Sequence, residues 1–170
     1  DDFLGDFYDE GFGMISTGYP IINLDDPTGP TSIDEDDYHY FELRVYAVAI
    51  YELVMIVSGG DADLFIADFD YTVLYHSSLW NPDDGSTERI RVHLHPGIYI
   101  VAVKGFSAAT YDLVMNIVDP TVISLDQSVT ATGGTDNGDD DLHFMQCLNY
   151  YYEITVTALS QISFQITFDN

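Results

Sequence analysis

Basic residues are almost missing from this chain. Lys104, Arg44, Arg89 and Arg91 are set against 29 Asp and Glu, for a formal net charge of -25. Nucleic acid is therefore not an expected partner, because neutralising phosphates needs clustered Lys and Arg. Attraction to an anionic membrane surface fails for the same reason. Cysteine occurs once, as Cys147, so no internal disulfide can form. Within Phe144-Met145-Gln146-Cys147-Leu148 it is expected in the core as a small apolar residue. No apolar run approaches the length of a membrane span, so membrane insertion is not expected. No basic and then apolar leader opens the chain, and a start at Asp1 rather than Met is what a processed protein would show. Also missing are an Asn-x-Ser/Thr acceptor, Gly-x-Ser-x-Gly, His-Glu-x-x-His and an activated-cysteine context, so no catalytic residue is assigned. With so many Asp residues, carboxylate pairs of the glycosidase kind arise by chance.

What is present is strand after strand. Hydrophobic residues make up 46% of the chain, enough to place it among folded rather than disordered proteins. β-Branched and aromatic residues concentrate in 38–48, 50–58, 64–69, 71–76, 88–94, 98–103 and 110–118. Turn formers separate them: Ser58-Gly59-Gly60-Asp61, Asn81-Pro82-Asp83-Asp84-Gly85, His95-Pro96-Gly97 and Lys104-Gly105. Alternation is cleanest in Glu88-Arg89-Ile90-Arg91-Val92-His93-Leu94, where Ile90, Val92 and Leu94 face a core and Arg89, Arg91 and His93 face water. No segment has a sustained helical period with caps, so the expected class is all-β.

One pattern occurs twice. Asp36-Asp37-Tyr38-His39-Tyr40-Phe41 opens a strand-rich run, and Asp140-Asp141-Leu142-His143-Phe144-Met145 reopens it 104 positions later. Related apolar segments precede the two copies, Ile21-Ile22-Asn23-Leu24-Asp25 and Val122-Ile123-Ser124-Leu125-Asp126. A boundary is expected near Asp119-Pro120, followed by a Gly-, Thr- and Asp-rich loop over 130–139 and strands over 149–159 and 162–168. Tyr150-Tyr151-Tyr152 reads as a strand buried on both sides. The second copy thus lacks counterparts to the strands from Tyr71 through Val118.

Five pieces of the first copy, in order, carry a resemblance. They are Asp37-Tyr38-His39-Tyr40-Phe41-Glu42-Leu43, Gly60-Asp61-Ala62-Asp63-Leu64-Phe65-Ile66, Thr87-Glu88-Arg89-Ile90, Pro96-Gly97-Ile98-Tyr99-Ile100-Val101-Ala102-Val103 and Ala109-Thr110-Tyr111-Asp112-Leu113. Together they resemble the bacterial pre-peptidase C-terminal domain family over residues 18–118. The resemblance implies a small jelly-roll-like antiparallel β-sandwich that is noncatalytic and accessory to secretion, solubility or polymer binding, with relatives in collagenases that bind collagen and Ca²⁺. The expected organisation is an acidic and aromatic arm over 1–17, the sandwich over 18–118, and an incomplete second β-sandwich unit over 119–170.

The acidity has two readings. It is either a hydrated surface that keeps the chain soluble by self-repulsion, or a set of Ca²⁺ loops. Asp outnumbers Glu by 23 to 6, and Asp serves turns as well as metals. The candidate ligands are Asp34, Asp36 and Asp37, the pair Asp61 and Asp63, and Asp136, Asp139 and Asp141. The first and last groups supply several hard oxygens within one short loop. Asp61 and Asp63 could instead accept backbone N–H bonds in the Gly59-Gly60 turn. His93-x-His95 is the nearest approach to a histidine chelate, and both side chains are expected to point outward. Candidate contact residues are Trp80 at a loop edge, Phe3, Phe7 and Phe12 in the arm, and Phe164, Ile166 and Phe168 on one face of the last strand.

An incomplete sandwich exposes unpaired backbone and an apolar face, which proteins normally avoid. The expected function is a secreted structural protein that self-assembles with other copies of itself by strand complementation, into a filament where the contact does not close. The alternative is a Ca²⁺-assisted extracellular module that binds a polysaccharide or protein fibre.

Overall fold

The computed structural model describes residues 16–79, 86–122, 144–149 and 151–154. Eleven strands run in chain order: β1 Thr31–Ile33, β2 Tyr38–Val45, β3 Ala49–Ser58, β4 Ala62–Ala67, β5 Val73–Leu79, β6 Thr87–Leu94, β7 Gly97–Gly105, β8 Ala109–Val118, β9 Thr121–Val122, β10 Phe144–Leu148 and β11 Tyr152–Glu153. No helix occurs among the described residues. The first eight strands form two antiparallel sheets, ordered β1-β8-β3-β6 and β2-β7-β4-β5. That is the strand order of a jelly roll, so the all-β, jelly-roll-like expectation holds.

The period-2 patterns decide which side chains fill the space between the sheets. Leu43 and Val45 of β2, Leu64 and Ile66 of β4, Val101 and Val103 of β7, Leu53 and Met55 of β3, Ile90 and Val92 of β6, and Leu113 of β8 are all fully buried in one cluster. Tyr111 is buried with them and its hydroxyl meets His39 Nδ1 at 2.8 Å, which satisfies a phenol that would otherwise be costly to bury.

A sandwich of two open sheets has two seams, and each is crossed by a further segment. On one side, Ile21 bridges β2 at Glu42 and Leu24 bridges β8 at Met115, while Ile22 between them drops into the core. Main-chain bonds fix the crossing: Ile22 N to Glu42 O, Glu42 N to Pro20 O, Asp25 N to Met115 O and Thr28 N to Leu113 O. The apolar segment that precedes the first copy is therefore a lace between sheet edges, which covers edges that would otherwise invite pairing. On the other side, β10 joins β5 to β6.

Two expected strand limits move for local reasons. Tyr71 does not begin a strand, because 68–72 is a turn closed by Asp68 N to Thr72 O and Tyr71 N to Asp68 O, and the strand starts at Val73. Asp68 Oδ1 accepts the N–H groups of Asp70 and Thr72, and Tyr71 is held at φ +61°, a left-handed conformation rare for an aromatic residue. In the stretch 149–159, only Tyr152–Glu153 is strand among the described residues, and Tyr152 is 39% exposed rather than buried on both sides.

Gly60 shows how tightly the turn before β4 is drawn. It has φ +75°, and a Cβ built there would lie 2.1 Å from the carbonyl oxygen of Ala108. Gly60→Ala should therefore destabilise the fold by about 1–3 kcal/mol, read as a lower denaturant midpoint with an unchanged slope.

Candidate functional site

The β5–β6 seam is where chain topology, buried charge and the second copy meet. β10 enters it with Phe144–Gln146 antiparallel to Leu79–Ser77 of β5, and then continues with Cys147 and Leu148 parallel to Ile90 and Arg91 of β6. The chain goes on along β6: Asn149 N donates to Arg91 O, and His93 N donates to the Tyr151 hydroxyl at 2.7 Å. β11 then pairs in parallel with β9. The part of the repeated pattern that forms β2 at a sheet edge in the first copy thus forms a seam strand in the second.

Beneath β10 lies Glu88. It shares the inward phase of Ile90, Val92 and Leu94 and is completely buried. Its carboxylate accepts the Ser77 hydroxyl at 2.5 Å and the Leu79 N–H at 3.1 Å, and the Ser77 hydroxyl in turn accepts Arg89 N–H. Glu88 therefore ties β6 to the two β5 residues whose ladder partners in β10 are Gln146 and Phe144. Ser86 lies close enough to this carboxylate to favour its charged form, and the buried Ser78 hydroxyl has no partner among the described residues. Burial pushes Glu88 up to about 7, against the pull of those donors and with a further push from Asp61. Burial, with Asp61 and Glu88 nearby, pushes Asp63 up to about 8, while Lys104 pulls the other way.

Asp61 and Asp63 are both buried, Asp61 at the turn and Asp63 in β4. The Asp61 N–H donates to the Ser107 hydroxyl, and the Asp61 carbonyl oxygen accepts the Phe106 and Ser107 N–H groups. Asp34, Asp36 and Asp37 are exposed and build the β1–β2 turn: Asp37 N donates to Asp34 O, Asp36 stands at φ +61°, and Asp37 Oδ1 accepts Tyr38 N–H. Among the described residues no three His, Cys, Asp or Glu side chains gather closely enough to hold a metal ion. Asp136, Asp139, Asp141, Trp80, Phe3, Phe7, Phe12, Phe164, Ile166 and Phe168 lie outside the described residues. His93 and His95 are exposed, with their rings edge to face at 5.5 Å.

Two further features were not singled out from the sequence. Glu42 in β2 is fully buried on the outer side of its sheet. It accepts the Thr17 N–H at 2.6 Å, the Thr17 hydroxyl at 2.7 Å, the Ser16 hydroxyl at 3.0 Å and the Arg44 guanidinium. Burial alone would raise its carboxyl, but Arg44, Thr17 and Ser16 together hold it below the ordinary value. The second is a tyrosine cluster: Tyr38 and Tyr40 stack at 6.0 Å, Tyr40 and Tyr19 at 5.3 Å, and Tyr71 meets Tyr40 edge-on at 6.3 Å. Lys104 closes one end, 4.0 Å from the centre of the Phe106 ring and 5.7 Å from that of Tyr38. The three arginines pair with Glu42 and Glu52, so the few cations form no exposed basic patch.

No family model and no curated protein matches the chain. Among solved structures it is similar to the pre-peptidase C-terminal domain of a collagenase from Bacillus anthracis, at 13% identity over 57% of this chain and 93% of that one, with a TM-score of 0.48. It is also similar to PliG, a periplasmic inhibitor of g-type lysozyme from Aeromonas hydrophila, at 13% identity over 59% of this chain and 97% of that one, with a TM-score of 0.40.

Proposed function

We propose that this chain is a noncatalytic extracellular structural protein, built on a module resembling the pre-peptidase C-terminal family, that assembles by lending its β10 strand to the β5–β6 seam of another copy. The observation that carries this reading is the position of Phe144–Leu148: a strand of the second copy seated between two strands of the first. Its bonds there are main-chain ladder bonds, which a strand from any copy can make equally well. The parallel half of the ladder is the weaker kind of pairing, which suits exchange. Residues 123–143 connect β9 to β10, and extended they would reach about 70 Å, beyond the width of a sandwich of this size. Donation to a neighbour is a heterologous contact, which propagates as a filament unless the rotation closes a ring.

The test is light scattering and negative-stain imaging of the full chain over a range of concentrations, alongside a Cys147→Pro variant that removes a ladder donor from β10. Oligomers or filaments that Cys147→Pro abolishes, with the far-ultraviolet dichroism of the sandwich retained, support the proposal. A monodisperse monomer at every concentration, or assembly untouched by Cys147→Pro, sinks it.

A second reading, attachment to an extracellular polysaccharide or protein fibre, draws on the exposed tyrosines, Tyr38 at 44% and Tyr71 at 55%. Retention on insoluble polymers that is lost on replacing Tyr38 and Tyr71 with alanine would favour it over assembly. The Ca²⁺-assisted form of this reading has no ligand cluster behind it among the described residues.

A further inference from the structure

We infer that Tyr19 and Tyr71 form an oxidative cross-linking site, at which a peroxidase with hydrogen peroxide joins the two rings as a dityrosine. With a single cysteine the chain can make no internal disulfide, yet it carries 13 tyrosines. Two of them are held head to head: the Tyr19 and Tyr71 hydroxyls lie 2.8 Å apart although 52 positions separate them in sequence. This juxtaposition is built by the fold from both sides. Tyr71 stands on the Asp68-capped turn in a left-handed conformation that aims its ring back over the sheet. Tyr19 is fixed from the other side, where Thr17 Oγ1 accepts its N–H while also donating to Glu42. Tyr40 packs against both rings.

The chemistry balances. Tyr71, 55% exposed, loses an electron to the peroxidase and its hydroxyl proton to water, and Tyr19 is oxidised in the same way by a second one-electron step. The two phenoxyl radicals couple through the ring carbons next to their hydroxyl-bearing carbons, and each ring then moves a proton from that carbon back to oxygen. Two C–H bonds are exchanged for one C–C bond, the pair loses two hydrogen atoms, and hydrogen peroxide leaves as two waters. Tyr40, stacked on Tyr19, extends the cluster over which an unpaired electron is shared. The product would staple the segment that laces the β2–β8 seam to the β4–β5 turn, closing a covalent loop around half of the sandwich.

The test treats the full chain with a haem peroxidase and limiting hydrogen peroxide, digests it, and sequences the linked peptides by mass spectrometry. The expected result is a dominant intramolecular Tyr19–Tyr71 link, two hydrogen atoms lighter than the sum of its peptides, with dityrosine fluorescence and a raised melting temperature. Tyr71→Phe and Tyr19→Phe should each reduce that fluorescence several-fold while leaving the circular dichroism unchanged. Tyr46→Phe, which removes an equally exposed phenol outside the cluster, should leave it unchanged. Links spread over Tyr46, Tyr152 and the cluster in proportion to exposure, or no Tyr19–Tyr71 peptide at all, would overturn the inference.

Discussion

Glu42→Ala should cost on the order of 3–5 kcal/mol of stability and free the segment from Ser16 to Ile22 from the edge of β2. The cost does not come from one ion pair. The carboxylate is the common acceptor for Arg44, the Thr17 N–H and hydroxyl, and the Ser16 hydroxyl. Its removal leaves Arg44, 17% exposed, without its partner at that site and takes the acceptor from the half-buried Thr17 N–H. The same edit loosens the lace, because Glu42 also exchanges main-chain bonds with Pro20 and Ile22 and the side-chain clasp holds that register. Glu42→Gln is the informative companion: it keeps one acceptor oxygen and the volume, and should recover about half of the loss. Chemical denaturation gives the energies, and hydrogen exchange at residues 19–22 reports the lace. If Glu42→Ala loses less than about 1 kcal/mol, the clasp is not what holds this edge.

The fold was largely legible from the sequence, because strands of a sandwich announce themselves by alternation and turn chemistry. The run Glu88–Leu94 shows both the success and the limit. Its alternation correctly placed Ile90, Val92 and Leu94 inside and Arg89, Arg91 and His93 outside. The same parity puts Glu88 inside, yet a glutamate at the start of a strand reads as exposed unless the partners that make its burial tolerable are known. Those partners, Ser77 and Leu79, sit on another sheet nine to eleven positions away. Glu42 was hidden in the same way: its phase puts it on the outer face, and only the fold brings Ser16 and Thr17 over it. The tyrosine cluster could not be found by spacing at all, since Tyr19, Tyr40 and Tyr71 converge only once the Asp68 turn bends over the sheet. The repeat, by contrast, was visible, but not its consequence. Similar sequence does not impose a similar place when one copy is preceded by its own lace and the other reaches a seam that is already built.

Stability should fall as pH rises from about 5 to about 9, by on the order of 5 kcal/mol, the reverse of what a chain held by surface ion pairs would show. The sign follows from the buried carboxyls. Glu88 rises from an ordinary 4.5 to about 7 and Asp63 from 3.8 to about 8 on folding, so the folded state binds more protons than the unfolded one across that interval. Their stabilisation is complete below about pH 4 and is lost as pH climbs through 7 and then 8, at roughly 1.4 kcal/mol for each pKa unit, less than additively because the two groups repel. Glu42 acts in the opposite direction: its lowered carboxyl contributes stability above its ordinary value of 4.5 that is lost on acidification. The two trends together place the maximum in mildly acidic solution. Glu88→Gln separates them, since it keeps a hydrogen-bonding group against Ser77 and Leu79 but carries no charge. It should match the parent at about pH 5 and exceed it by about 2–3 kcal/mol at about pH 9. Thermal and urea unfolding across this range measures both curves. A parent stability that climbs from pH 5 to 9 would mean that the buried carboxyls remain ionised in the fold, and a Glu88→Gln curve parallel to the parent's would mean that Glu88 does and that the β5–β6 tie is an ordinary hydrated contact.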